Sequence, residues 1–195
     1  MRNSLLVSLV TLGAAISLPA QSPVIPSAAW QIAAAVTPLP EELKADAAVL
    51  GYKDGTKGLV TLRAGKNDMI CLAPDPAVKN FHPACYHKAM EPFMARGREL
   101  RASGVKGAQV DTVRFAEVKN CTLKVPAQPS MLYQIFGGTF DETSGKVTGG
   151  SALYITYMPF ATTASTGLTG KPSDKSPWLM FPGTPKAHIM FSVSM

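Results

Sequence analysis

Charge is scarce in this chain. Asp, Glu, Lys and Arg make up 16% of its 195 residues, against about a quarter in an average globular protein. Cysteine is scarcer still, at three. Few charges beside 46% apolar residues exclude charge-driven disorder for the bulk of the chain. Three cysteines exclude a disulfide-dense mini-scaffold. The absence of Cys-x-x-Cys removes a thioredoxin-like redox site and c-type haem attachment. There is no Gly-x-Ser-x-Gly, and no Gly pattern that cradles phosphate. Glycine and proline, 16 of each, stay below low-complexity levels. No internal repeat is visible, and residues 31–195 hold no apolar run long enough to span a membrane. What remains is one domain of ordinary size, long enough to bury its own core.

The N-terminus does carry one apolar run. Leu5 to Leu18 is uncharged, Arg2 precedes it, and Pro19-Ala20 closes it. At 14 residues it is short for a spanning helix and right for a signal-peptide core. Residues 1–20 therefore read as a secretory signal rather than an uncleaved anchor. Cleavage after Ala20 is expected, with Ser27-Ala28-Ala29 and Ala33-Ala34-Ala35 as alternative cut points. The expected product is a soluble periplasmic or extracellular protein with no membrane span. The formal charge of +6 is modest. Eight bases lie between Lys88 and Lys124 with four acids among them. That reads as a solvated helix face, since a nucleic-acid surface needs clustered bases with interleaved aromatics.

Residues 21–39 (QSPVIPSAAWQIAAAVTPLP up to Leu39) read as a Pro/Ala-rich leader with little fixed structure. Residues 40–195 read as the single globular domain. Pro40 with Glu41-Glu42 opens a helix of about three turns that stops at Gly51. Leu59–Arg63 and Met69–Leu72 read as a hairpin of strands about Gly65-Lys66-Asn67-Asp68. Residues 84–103 carry the best helical period, with Pro92 kinking the helix or starting a second one. Gln109–Phe115 reads as a strand. So do Met131–Phe136, Ala152–Met158, Trp178–Phe181 and His188–Val193. Gly137–Gly150 and Ala161–Pro177 are polar loops. The expected class is α+β, a mainly antiparallel sheet packed against the long 84–103 helix with a short N-terminal helix beside it.

The run Val60-Thr61-Leu62-Arg63-Ala64-Gly65-Lys66-Asn67, followed by Cys71, a Pro/Asp-rich turn and a Cys ahead of an expected Met-rich helix, resembles a group of uncharacterised exported bacterial proteins. Gly183-Thr184-Pro185-Lys186-Ala187-His188-Ile189-Met190 is similar to that group's final strand. The resemblance covers residues 56–100 and 178–193. It implies export and one domain, and it transfers no catalytic residue.

Thiols oxidise in an exported protein. Cys71 and Cys85 flank an irregular Pro-rich segment, so a Cys71–Cys85 disulfide is favoured over either pairing with Cys121. The closed loop of roughly 15 residues is worth ~3 kcal/mol in the chain-entropy model. Cys121 is left over, as an inert thiol, a reactive one or an intermolecular bridge. His82, His87, Met90 and His188, with Met180 and Met190 nearby, form a chemically sensible copper set. Against that, His82 and His87 do not share a helix face, and methionine is common core filler. No cofactor is implied by any motif.

Two functions stay open. The first is a non-enzymatic binding or interaction module of the bacterial envelope, taking a small molecule or an envelope protein. Its contacts would come from the two loops and from Tyr133, Phe136, Phe140, Tyr154, Tyr157 and Phe160. The second is an envelope enzyme or copper-binding protein using His87 or His188 with Cys or Met neighbours. Convergence of His87, His188 and Cys121 in one cavity would favour it.

Overall fold

The computed structural model describes residues 23–193. Alternating strands assemble into one eight-stranded sheet. Its strands are β1 (Ala48–Gly51), β2 (Val60–Arg63), β3 (Met69–Leu72), β4 (Ala84–His87), β5 (Ser130–Phe136), β8 (Ser151–Tyr157), β9 (Trp178–Met180) and β10 (His188–Val193). The spatial order is β2-β1-β3-β4-β5-β8-β10-β9. Only β1 and β3 run parallel; every other neighbour pair is antiparallel. A separate hairpin, β6 (Thr139–Asp141) with β7 (Lys146–Thr148), rises between β5 and β8.

The mixed α+β class with a mostly antiparallel sheet is as expected, but five local expectations fail. The leader is the first. Residues Ala28–Ala35 form helix α1, capped by the Ser27 side chain, and Ala34 and Ala35 are fully buried. A run of small residues reads as featureless in sequence, yet small side chains let a helix lie close on a sheet. Ala35 O sits 3.2 Å from Cys85 Sγ, a packing contact, since a half-cystine sulfur carries no hydrogen. The second concerns residues 40–51. Helix α2 is one turn, Glu41–Lys44, and the chain then extends into β1. Ala47, Val49 and Gly51 point inward in alternation, and that period of two defeats the looser helical spacing of Ala47 and Leu50.

The expected β2–β3 hairpin is the third. β1 lies between the two strands. The 65–68 turn instead crosses the entrance of β1, where Asp46 O accepts from the N–H groups of Lys66 and Asn67 at 2.7 and 3.1 Å. Gly65 is required there, because a Cβ would come within 2.5 Å of Ala48 N. The fourth is the 84–103 helix. Residues 84–87 are strand β4, bonded on both sides, a 3-10 turn covers Lys88–Met90, and helix α3 runs Glu91–Ala102. Pro92 opens α3 rather than kinking it, because its missing N–H costs nothing in a first turn. Gln109–Lys119 is helix α4, not a strand. Val110 and Arg114, both buried, stand one helical turn apart.

The disulfide is where the sequence places it. Cys71 and Cys85 are register partners on β3 and β4, with Cα atoms 4.0 Å apart and a sulfur–sulfur bond of 2.05 Å. The core is layered by this sheet. One face buries Val49, Met69, Cys71 and Cys85 under α1. The other buries Tyr86, Leu132, Ile155 and Met190 under Met90 and Met94 of the α3 segment. A smaller cluster of Leu179, Ala187 and Ala161 closes the β9 end, with Leu168 against it. No helix among the described residues is long and apolar enough to cross a membrane.

Candidate binding face and cleft

β5, β8 and β10 carry apolar side chains on both faces. On β5, Leu132 faces the α3 side, while Met131 and Tyr133 face the α1 side. Helix α1 reaches only the β1–β4 half of its face. Past it, register alignment sets two rows across three strands: Tyr133, Tyr154 and Phe191, and beside them Met131, Thr156 and Ile189. Five of these six are half-buried, and Phe191 is 37% exposed. The Tyr133 and Tyr154 rings meet edge to face at 5.2 Å. Burial raises the Tyr133 phenol above its usual range, with Tyr154 and Glu42 adding to it. Thr156 Oγ1 donates to Met131 Sδ at 3.1 Å, so the aliphatic hydroxyl of the rows is occupied.

A cleft of about 630 Å³ opens where these rows meet α2. Leu43, Met69, Ala89, Pro129, Met131 and Tyr133 form its apolar wall, and Asn67, Asp68, His87 and Gln128 its polar end. Asn67 builds the corner. Its side chain donates to Leu43 O at 2.9 Å and accepts from Met69 N at 3.0 Å, tying α2 to β3. Lys88 Nζ bonds Asp68 at 2.7 Å and holds that carboxyl below its usual range. His87 Nδ1 accepts from Ala89 N at 3.2 Å, and its Nε2 lies 3.7 Å from Asp68. Neutral His87 thus carries its proton on Nε2, toward Asp68, and its lone pair is already engaged. That arrangement suits a fixed polar rim better than a general base, which needs a free lone pair.

The other residues singled out from the sequence are dispersed. His87 and His188 lie on opposite faces and three strands apart, about 14 Å at the usual strand spacing. His188 is buried between Tyr157 and Phe181 (centroids 4.9 and 5.7 Å), and its Nδ1 donates to Lys186 O at 2.7 Å. His82, at the other end of β4, stacks on Phe136 at 3.9 Å and meets Gln134. Met90 is core, Cys85 is in the disulfide, and Cys121 is exposed just beyond α4. Among the described residues no three His, Cys, Asp or Glu side chains converge on a metal-sized site.

The two polar loops also differ from expectation. The 137–150 segment is a hairpin folded back onto α1, with Phe140 against Trp30 and Phe81. The 161–177 segment starts with a capped helical turn, α5 (Thr163–Thr166), and Thr169 O then accepts from Leu179 N at 2.9 Å. It guards the β9 edge against further pairing. Of the six aromatics named for a groove, Tyr133 and Tyr154 stand on the open face. Tyr157 is buried on the other. Met131, Thr156, Ile189 and Phe191 were missed. Their signal was present, because strands apolar on both faces need a cover on each, and one here has none over its centre. No family model, curated protein or solved structure matches this chain.

Proposed function

We propose that this is an exported soluble binding module of the bacterial envelope, periplasmic or extracellular, that holds an apolar or amphipathic molecule in the cleft and along the adjoining rows. The observation that carries the reading is the cleft itself. Its volume falls within the range of small-molecule sites, about 300–1,000 Å³, and such sites are largely apolar with a few fixed polar groups. Export rests on the N-terminal apolar run, with the Cys71–Cys85 disulfide compatible with an oxidising compartment. The enzyme and copper readings lack a convergent set of groups among the described residues.

A neutral apolar fluorophore, N-phenyl-1-naphthylamine, tests the reading by titration. Saturable binding to the parent chain is expected, weakened at least tenfold by Met131→Glu, which puts a charge in the apolar wall. A surface control, Lys175→Glu, at an exposed position away from the cleft, should bind as the parent does. Equal affinity in the parent and Met131→Glu would remove the cleft from consideration.

A further inference from the structure

The stretch between Lys88 and Lys124 holds eight bases and four acids. Its four acids are all engaged. Glu91 pairs with Arg98 at 2.6 Å, and Glu99 and Glu117 both pair with Arg96, at 3.2 and 2.6 Å. Asp111 is shared between Arg114 and Lys186. Arg101 belongs to none of these ion pairs.

Its position is built rather than incidental. Phe93, Gly97 and Arg101 form one stripe of α3, a turn apart. Arg114 crosses this stripe from α4, 96% buried, its guanidinium 3.9 Å over the Phe93 ring and its Nη1 donating to Phe93 O at 3.0 Å. It fits because position 97 has no side chain. A Cβ there would lie 3.0 Å from Arg114 Nη1 and 3.4 Å from Arg101 Nη1, so two guanidinium ends bear on one point of the helix surface. Arg114 Nε is buried with no partner. Partial burial first, then the charges of Arg114 and Arg98, press the Arg101 pKa downward, with the Asp111 carboxylate opposing them.

We propose that Arg101, with Arg114 and Arg98 behind it, is an oxyanion site for a phosphate or phosphodiester group, carried by α3–α4 on the sheet face opposite the cleft. A guanidinium offers two parallel donors that match such a group. Arg98 is committed to Glu91 and to the Tyr86 hydroxyl, so it contributes field rather than donors. The phosphodiester of an anionic lipid and free phosphate present the same chemistry, and the test separates them.

The full exported chain is titrated with inorganic phosphate by calorimetry and cosedimented with vesicles of phosphatidylglycerol in phosphatidylcholine, with pure phosphatidylcholine as control. Saturable binding is expected, reduced at least tenfold in Arg101→Gln and partly kept in Arg101→Lys. Arg101 is exposed, so both variants should melt with the parent chain, which excludes unfolding as the cause. Vesicle binding that free phosphate displaces assigns the site to lipid headgroups; phosphate binding without vesicle binding assigns it to the free anion. Equal affinity of the parent chain and Arg101→Gln for both probes, or no saturable binding of either, overturns the proposal.

Discussion

The Gln31 carboxamide stands in for a strand partner at Tyr52. Its oxygen accepts from Tyr52 N at 2.8 Å, and its nitrogen donates to Tyr52 O at 3.0 Å and Pro26 O at 2.8 Å. Gln31 is 1% exposed, so Gln31→Leu would strand these backbone groups and cost about 2 kcal/mol, read as a shifted urea midpoint at unchanged slope. His188 makes a pH prediction of defined sign. Burial lowers its folded pKa, so the unfolded chain takes up a proton first as pH falls through ~6.5. Stability is therefore full above that pH and declines below it. His82 is shifted in the same direction by burial and adds to the slope. His188→Phe should flatten the dependence between pH 7 and 5, a window above the range where Asp68, Asp111 and Glu117, all lowered by cationic partners, begin to protonate. An unchanged slope in His188→Phe would place the titrating group elsewhere.

At the scale of elements, the disulfide and α1 fasten one half of the sheet. Replacing both Cys71 and Cys85 by Ser should cost ~3 kcal/mol in the chain-entropy model, measured as the difference in unfolding free energy. Helix α1 supplies Gln31, Ala34 and Ala35 to the core, so a signal cut at either downstream alternative would delete part of the fold. On the proposal that residues 1–20 are a cleaved signal, the mature chain should begin at Gln21, and mass spectrometry of the protein recovered from an exporting host checks this; a mature start at Trp30 or Val36 would contradict the role given to α1. Which elements were legible follows from the same physics. β5, β8, β9 and β10 were readable, because short runs dominated by apolar and aromatic residues between turn signals read as strands. α4 was not. In QVDTVRF the polar and apolar residues nearly alternate, and only the burial of Arg114 under α3 separates a helix from a strand. The split of 84–103 into strand and helix depended on Cys85 pairing across to β3, a contact 14 residues back in sequence. The candidate cleft was legible only through Tyr133 and His87, since Leu43, Met69 and Pro129 come together from three distant segments.

On the scale of the whole molecule, the protein has two unlike faces. Past α1, the centre of its face is open, apolar and floored by Tyr133, Tyr154 and Phe191, while Leu168 and its neighbours cover the β9 end. The opposite face is closed by helices that present surplus positive charge. The central claim is that the cleft between α2 and β5 takes an apolar ligand. Fluorescence titration of N-phenyl-1-naphthylamine into the parent chain, Met131→Glu and Arg101→Gln tests it most directly, because the probe is uncharged and reports on only one face. The predicted result is equal binding by the parent chain and Arg101→Gln, with at least a tenfold loss in Met131→Glu. Binding that survives Met131→Glu unchanged, or no saturable binding to the parent chain, would contradict it.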